Sequence, residues 1–312
     1  MPKEAIICIY LFCSAVLLFF ASRPTQRPWR KKLLLVFVVG SILAPVFIDR
    51  TPRNFAQAIV LLFLLSLERL IPSQAISFFS SENLKSAAFI SLKRVASLGF
   101  IVALVSQILA WPALPWALKT HLPFWAQALA ALFVLDFMQF VWHFLRHKVD
   151  FLWRFHKLHH ATEELSLFAA GRDNLIEWAP RQVVFQGIML YGLGISFEAY
   201  LYGYIFPALV IDGMNHMNVD FPQRKWLWLS RFVSLPNTHA IHHAPDGDRS
   251  NYGFMFMFWD VLFGTFKTPL SRPTEFGLAS RELDNMGIVA QHVYSLRECL
   301  PSLVVSSPQK GF

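Results

Sequence analysis

The sequence predicts an all-α, polytopic membrane protein with about four to five transmembrane helices, a re-entrant or short helical hairpin, and a helical cap on the cytoplasmic side. Three observations indicate this fold class. Of the 312 residues, 55% are hydrophobic and only 15% are charged, whereas soluble domains carry about 25% charged residues. The apolar residues form long segments, and most of the eleven histidines lie in the polar sequence around them. This composition excludes a disordered chain and an ordinary cytosolic protein.

The N-terminal transmembrane region, residues 1–124, contains four apolar segments. They are residues 5–21, 33–48, 55–71 and 95–118. The first is expected to remain as a span, because the ASRPTQ sequence after it is a poor cleavage site for a signal peptide. The third ends in Glu68 and Arg69 and is compatible with a span or with a helix in the membrane interface.

A fifth apolar segment, residues 124–142, contains Asp136. An ionisable residue inside a span is costly and is therefore a candidate for a functional role. The polar loops at 23–32, at 72–94 and after 142 contain most of the loop lysines and arginines, which places them in the cytoplasm by the positive-inside rule. The net charge of +8 is explained in this way, so no nucleic-acid partner is predicted.

The remaining sequence divides into a membrane hairpin and polar regions. Residues 183–211 are apolar but are interrupted by several glycines and Pro207, which favours two short helices over one straight span. A polar tail follows from about residue 267. The predicted domains are therefore the region 1–124, a catalytic domain at 125–266 and a C-terminal tail at 267–312.

Eight histidines fall in three groups with helical spacing. They are His143 and His147; His156, His159 and His160; and His239, His242 and His243. Positions i, i+3 and i+4 share one face of a helix, so each group presents imidazoles side by side. The H-x-x-H-H spacing occurs twice, which random placement rarely produces. The isolated His121 and His292 are expected to be ordinary surface or core residues.

Grouped imidazoles indicate a metal centre, because neutral imidazole binds iron, zinc, copper and nickel. Eight of them exceed the ligands of a single zinc ion and fit two metal ions. The sequence has no H-E-x-x-H, which argues against a mononuclear zinc protease. The expectation is a dinuclear site at the membrane surface.

The pattern resembles the fatty acid hydroxylase/sterol desaturase superfamily of histidine-box membrane enzymes. The resemblance covers about residues 125–266 and includes Leu152, Trp153 and Phe155 before the second box, then the NYG and FWDVLFGTF segments after the last. It implies nine histidines as metal ligands and catalytic residues. These are His143, His147, His156, His159, His160, His216, His239, His242 and His243.

The resemblance implies a di-iron oxygenase that hydroxylates or desaturates an unactivated C–H bond of a lipid, such as a sterol or fatty acyl chain, taken from the bilayer. Both reactions begin with the same hydrogen abstraction. The chain has no H-P-G-G haem segment, iron–sulfur cysteine set or G-x-G-x-x-G, so electrons are expected from a separate, NAD(P)H-dependent reductase or electron-transfer protein. The short chain without a fused haem domain favours a bacterial inner membrane over the endoplasmic reticulum.

The sequence departs from the family pattern at two places. Asp212 stands four residues before His216, where a second histidine is common, which leaves Asp212, Asn215 or a water for one metal position. Asn174 stands where many bacterial members have a histidine. Carboxylates expected to hold the imidazoles in place are Asp136, Glu177, Asp212 and Asp260.

Two other functions remain open. A metal transporter would carry ligands inside its apolar segments, which here contain few besides Asp136 and Glu198. A zinc-dependent membrane hydrolase would need an activated water and an acid/base partner.

Overall fold

A computed structural model describes residues 52–96, 102–112, 114–221, 223–245, 249–280, 283 and 286–299. Within these residues the protein is helical, and the only extended pairing is an isolated antiparallel bridge between Val233 and Phe256. The all-α prediction is therefore confirmed for the described part of the chain. The predicted spans at 5–21 and 33–48 lie outside it.

The α-helices, in chain order, are α1 (Pro52–Leu70), α2 (Ser81–Ala96), α3 (Val102–Ala110), α4 (Leu118–His121), α5 (Phe124–Lys148), α6 (Asp150–His160), α7 (Leu175–Gln186), α8 (Phe197–Tyr200), α9 (Phe206–His216), α10 (Gln223–Trp226), α11 (Pro236–His242), α12 (Phe258–Phe263) and α13 (Ile288–Cys299). Two 3₁₀ turns, Leu167–Gly171 and Leu229–Arg231, and two π-helical turns, Gly187–Gly192 and Leu201–Ile205, connect some of them.

Helix α5 is the long axis of the fold. At 25 residues it is the one helix among the described residues that is long and apolar enough to cross a membrane. Trp125, Leu129, Phe133 and Phe137 are exposed along it at intervals of four residues, which places them on one face. The other side buries Leu135 and further residues against the hairpin. Of the four to five predicted spans, the described residues thus support one, which is α5. Helix α3 covers only nine residues of the apolar segment 95–118.

The segment 183–211 forms a hairpin of two helical arms, as predicted. The first arm runs through α7 and the π turn that ends at Gly192, and the second runs from α8 to α9. Gly194 lies at the bend with φ +60°, and a Cβ there would overlap Ala117. Glycine is the residue that adopts this backbone conformation without strain, so it fixes where the chain reverses.

Two regions predicted as polar loop and tail contain helices. The segment 72–94, expected to be a loop, includes most of α2, which buries Ala88 and Phe89 against Leu158 of α6. The tail contains α13, and Glu298 in it pairs with Lys157 of α6 at 2.5 Å. In α2 the charged residues Glu82 and Lys93 form ion pairs with Arg172 and Asp173, so its polar composition does not indicate a solvated loop.

A close helix crossing generates the first prediction. A Cβ at Gly203 would overlap the backbone of Ala128 in α5, whereas a Cβ at Gly187 would meet no atom within 4 Å. We expect Gly203→Ala to destabilise the protein by about 1–3 kcal/mol, because an overpacked contact forces the backbones apart. Gly187→Ala is the matched control and should be neutral. Thermal unfolding of the detergent-purified variants, followed by tryptophan fluorescence, measures this. Equal melting temperatures would contradict the close contact.

Candidate metal centre

Four helices bring the nine predicted histidines to one place. His143 and His147 lie in the last turns of α5, and three histidines lie at the end of α6. His216 ends α9, while His239, His242 and the residue after α11, His243, complete the set. All nine side chains are buried. The structure thus brings together every histidine that the family resemblance named.

The imidazoles form two clusters, and in each the ligand nitrogens lie within 4.8 Å of one another. The five-histidine cluster contains His143, His147, His156, His160 and His242, and the four-histidine cluster contains His159, His216, His239 and His243. Each H-x-x-H-H group is therefore divided between the clusters. His159 and His243 face one cluster, while their chain neighbours His160 and His242 face the other.

The spacing between nitrogens fits bound metal ions. In the four-histidine cluster, the Nε2 atoms of His216 and His159 are 3.2 Å apart, and the Nε2 atoms of His239 and His216 are 3.1 Å apart. Two nitrogens bound to one ion at about 2.1 Å lie about 3.0–3.4 Å from each other. In the five-histidine cluster, the Nε2 atoms of His143, His147 and His242 are buried without any hydrogen-bond partner. Buried nitrogens without partners are costly, so the donor set fits a metal in both places.

Backbone carbonyls orient three of the rings. The Nδ1 atoms of His143, His216 and His242 each donate a hydrogen bond of 2.8 Å, to the carbonyl oxygens of Tyr252, Asp212 and Ser250 respectively. A carbonyl can only accept, so the proton is on Nδ1 and the lone pair of Nε2 points into the cluster. Sequence reasoning missed these partners because every residue has a carbonyl and no side-chain pattern marks the ones used.

Burial keeps the histidines outside α5 neutral. It lowers the pKa of His216 to about 4 and that of His242 to about 3, although both gain a hydrogen bond to a carbonyl that opposes the shift. Burial also lowers the pKa of His156, His159, His160, His239 and His243 well below the usual value. Neutral imidazole is the form that binds a metal, so the site is ready for ions at neutral pH.

Two predicted carboxylates act on the histidines indirectly. Asp136 accepts hydrogen bonds from the backbone nitrogens of Met255 and Phe256 and from the Trp259 indole, at 2.8, 3.2 and 2.9 Å. Asp260 accepts from the backbone nitrogens of Tyr252 and Gly253 at 2.8 and 2.6 Å. Together they fix residues 252–259, and with them the carbonyl that orients His143.

Two more carboxylates lie beside the four-histidine cluster. An Asp212 side-chain oxygen is 3.5 Å from Nδ1 of His216. Asp173, which the sequence analysis did not select, lies 4.0 Å from Nδ1 of His159 and pairs with Lys93 at 2.7 Å. Burial opposes ionisation of Asp173, but Lys93 and the other nearby cations hold its pKa below the usual value. In the sequence Asp173 is a single acidic residue in a polar loop, which is too common a pattern to mark a site.

The other predicted positions have structural partners. Glu177 accepts hydrogen bonds from Arg146 and the Trp142 indole. Asn174 caps α7 by accepting from the backbone nitrogen of Ile176, and the amide of Asn215 donates to the carbonyl of Phe254. None of these three side chains contacts an imidazole through a described hydrogen bond.

The two lone histidines lie outside the clusters, as predicted. His121 is exposed and bonds to the carbonyl of Pro115. His292 in α13 donates to the carbonyl of Ile288 and stacks on Phe89 at 5.0 Å between ring centres.

Comparison with known proteins finds sequence matches over the part of the chain that contains the two clusters. The fatty acid hydroxylase family profile matches residues 128–265, which contain all nine histidines. An ornithine lipid hydroxylase of Rhizobium tropici is 31% identical over 198 residues, covering 60% of this chain and 56% of the relative. A cholesterol 25-hydroxylase-like protein of Danio rerio is 33% identical over 142 residues, covering 44% and 53%.

The human alkylglycerol monooxygenase is 26% identical over 191 residues, which are 56% of this chain and 38% of the relative. The matches with the first two relatives thus span a little over half of each relative's length. No solved structure matches the chain significantly. Residues 128–265, a little under half of the chain, are thus similar to the fatty acid hydroxylase family, and the matched relatives place this similarity among lipid hydroxylases and monooxygenases.

Proposed function

We propose that the protein is a membrane-bound di-iron oxygenase that uses O₂ and external electrons to hydroxylate an unactivated C–H bond of a lipid. The observation that carries this proposal is the pair of buried clusters, with five and four imidazoles. All nine histidines are assigned as metal ligands. Nine nitrogen donors exceed two tetrahedral zinc sites, which take four ligands each, and suit ions of higher coordination number.

The two irons, when bound, supply the oxygen chemistry that no amino-acid side chain can perform. The chain supplies the geometry. His143, His216 and His242 are held by carbonyls, and Asp136 and Asp260 fix the segment that provides one of them. Because the imidazoles are buried, the same packing keeps bulk water away from the reacting atoms.

The position of the site favours a lipid substrate. Helix α5 carries the exposed apolar stripe and also His143 and His147 near its end. A lipid hydrocarbon chain in the bilayer can therefore approach the clusters along this helix. The hairpin of α7 to α9 packs on the other side of α5 and is our candidate for the pocket wall. We place the site on the cytoplasmic side of a protein with four to five spans, in a bacterial inner membrane. The domain limits remain 1–124, 125–266 and 267–312.

The relatives favour hydroxylation over desaturation. Those described above are named as an ornithine lipid hydroxylase, a cholesterol 25-hydroxylase-like protein and an alkylglycerol monooxygenase. All three names describe the insertion of oxygen into a lipid, although the lipids differ. We therefore assign a lipid hydroxylase that receives electrons from a separate, NAD(P)H-dependent donor protein.

Removal of single imidazoles tests the ligand assignment. We expect His159→Ala and His242→Ala each to reduce the iron content and to lower turnover by more than about 100-fold, because each removes a ligand from a different cluster. His121→Ala is the matched control and should keep both. Iron per chain in purified protein is measured by elemental analysis. Wild-type iron content in both site variants would contradict the assignment.

Metal identity separates the oxygenase from a zinc hydrolase and a metal transporter. Purified protein should contain about two irons per chain, in keeping with its two clusters, and product should form only with O₂ and reductant. Chelation should abolish turnover, and added iron(II) should restore it. Zinc with oxygen-independent turnover would instead indicate the hydrolase, and metal flux without lipid product would indicate the transporter.

Comparison of lipids from cells with and without the gene tests the reaction type. We expect one lipid class to gain a single oxygen atom in cells that express the protein, with the label incorporated from ¹⁸O₂. A His242→Ala strain should match the deletion. Loss of two hydrogens without oxygen gain would show a desaturase.

A further inference from the structure

An exposed apolar surface adjoins α5 and takes no part in the metal centre. We name it the rim surface, and its members are Trp226, Trp228, Phe232, Val261, Leu262 and Phe263. Their exposed fractions lie between 40% and 69%. Large exposed apolar side chains that share one surface mark an interaction site.

Two segments of the chain form the rim surface and are joined to each other. The first runs from α10 to Phe232, and the second is α12. The backbone nitrogen of Met257, just before α12, donates to the carbonyl of Phe232 at 3.0 Å. The next residue, Val233, forms the bridge with Phe256. The backbones of the two segments are therefore joined next to Phe232 and α12, so the segments form one local unit.

The rim surface is continuous with the exposed stripe of α5. The Phe263 ring stacks on Phe140 at 5.3 Å and lies 6.3 Å from Phe137. Lower on α5, the Phe133 ring stacks on Phe256 at 5.3 Å. Phe133 and Phe137 are themselves exposed members of that stripe. Lipid that surrounds the exposed stripe of α5 would therefore also contact the rim surface.

The charge around the rim surface fits an anionic lipid surface. Lys225 and Arg231 are exposed, and the sequence between Phe221 and Leu235 contains no acidic residue. Tryptophans flanked by basic residues are typical of the membrane interface, where the rings lie at headgroup depth and the cations meet lipid phosphates. A partner of this chemistry is a lipid leaflet rather than a soluble protein surface.

We propose that the rim surface inserts into the headgroup region of the cytoplasmic leaflet and prefers anionic lipids. This proposal rests on the proposed function in one respect, which is that α5 spans the membrane. The rim segment continues directly into α11, which carries His239 and His242. Its contact with the leaflet thus fixes the depth of the metal centre relative to the lipid chains.

Site-directed labelling in vesicles tests the insertion. In a full-length background with Cys8, Cys13 and Cys299 replaced by serine, single cysteines at Trp228 and Leu262 receive an environment-sensitive fluorophore. Leu129→Cys in the α5 stripe is the membrane reference. Val149→Cys, an exposed apolar position after the end of α5, is the aqueous control. The proteins are reconstituted into vesicles of phosphatidylcholine with or without phosphatidylglycerol, and nitroxide lipids or aqueous iodide quench the label.

The proposal expects Trp228→Cys and Leu262→Cys labels to be quenched by nitroxide lipids and protected from iodide, with the opposite result at Val149→Cys. The pair Lys225→Glu and Arg231→Glu should reduce the lipid quenching in phosphatidylglycerol vesicles, and high salt should do the same to the parent protein. Labels at both rim positions that behave as aqueous while Leu129→Cys is quenched would overturn the insertion and leave the surface to a soluble partner. Failure at Leu129→Cys would instead overturn the α5 span. Quenching that is unaffected by charge reversal would overturn the anionic preference.

Discussion

The arrangement of the histidine clusters depends on the hydrogen bonds that the carboxylate of Asp136 accepts. This carboxylate lies at no measurable exposure within α5 and receives three hydrogen bonds from residues 255–259. A buried carboxylate is tolerated only when such donors surround it, so the segment and the helix hold each other. From this point the chain runs back to Tyr252, whose carbonyl orients His143. The position of one buried carboxylate thus determines the ring orientation of His143 on the same helix.

Much of the centre could be predicted from the sequence, because its ligands are chemically unusual and helically spaced. The set of nine histidines follows from the family resemblance, and the expectation of two metal positions follows from the number of grouped imidazoles. The division between clusters does not. His159 leaves the other members of its group to join His216, His239 and His243, and only the relative placement of α6, α9 and α11 decides this. Spacing along one helix defines a face but not the partner of each side chain.

The parts that sequence reasoning missed share a physical cause. The carbonyls of Ser250, Tyr252 and Asp212 are backbone groups, which leave no side-chain signature. Helix α2 is predicted as a loop because Glu82, Lys85 and Lys93 interrupt its apolar residues in the sequence. Their partners are distant in sequence, since Glu82 pairs with Arg172 and Lys93 with Asp173. A polar composition was thus mistaken for the absence of a packed helix.

The adjacent histidine pairs impose a fixed relation between the two clusters. His159 and His160 have ring planes 88° apart, and His242 and His243 have ring planes 86° apart, with ring centres separated by 5.5 Å in each pair. Consecutive Cα atoms are about 3.8 Å apart, a distance that covalent bonding does not allow to vary. Two peptide bonds, one in α6 and one at the end of α11, therefore hold the two clusters at a fixed separation. A movement of α6 or α11 displaces both clusters together, so the two groups of imidazoles can shift as a unit while the distance between them stays constant.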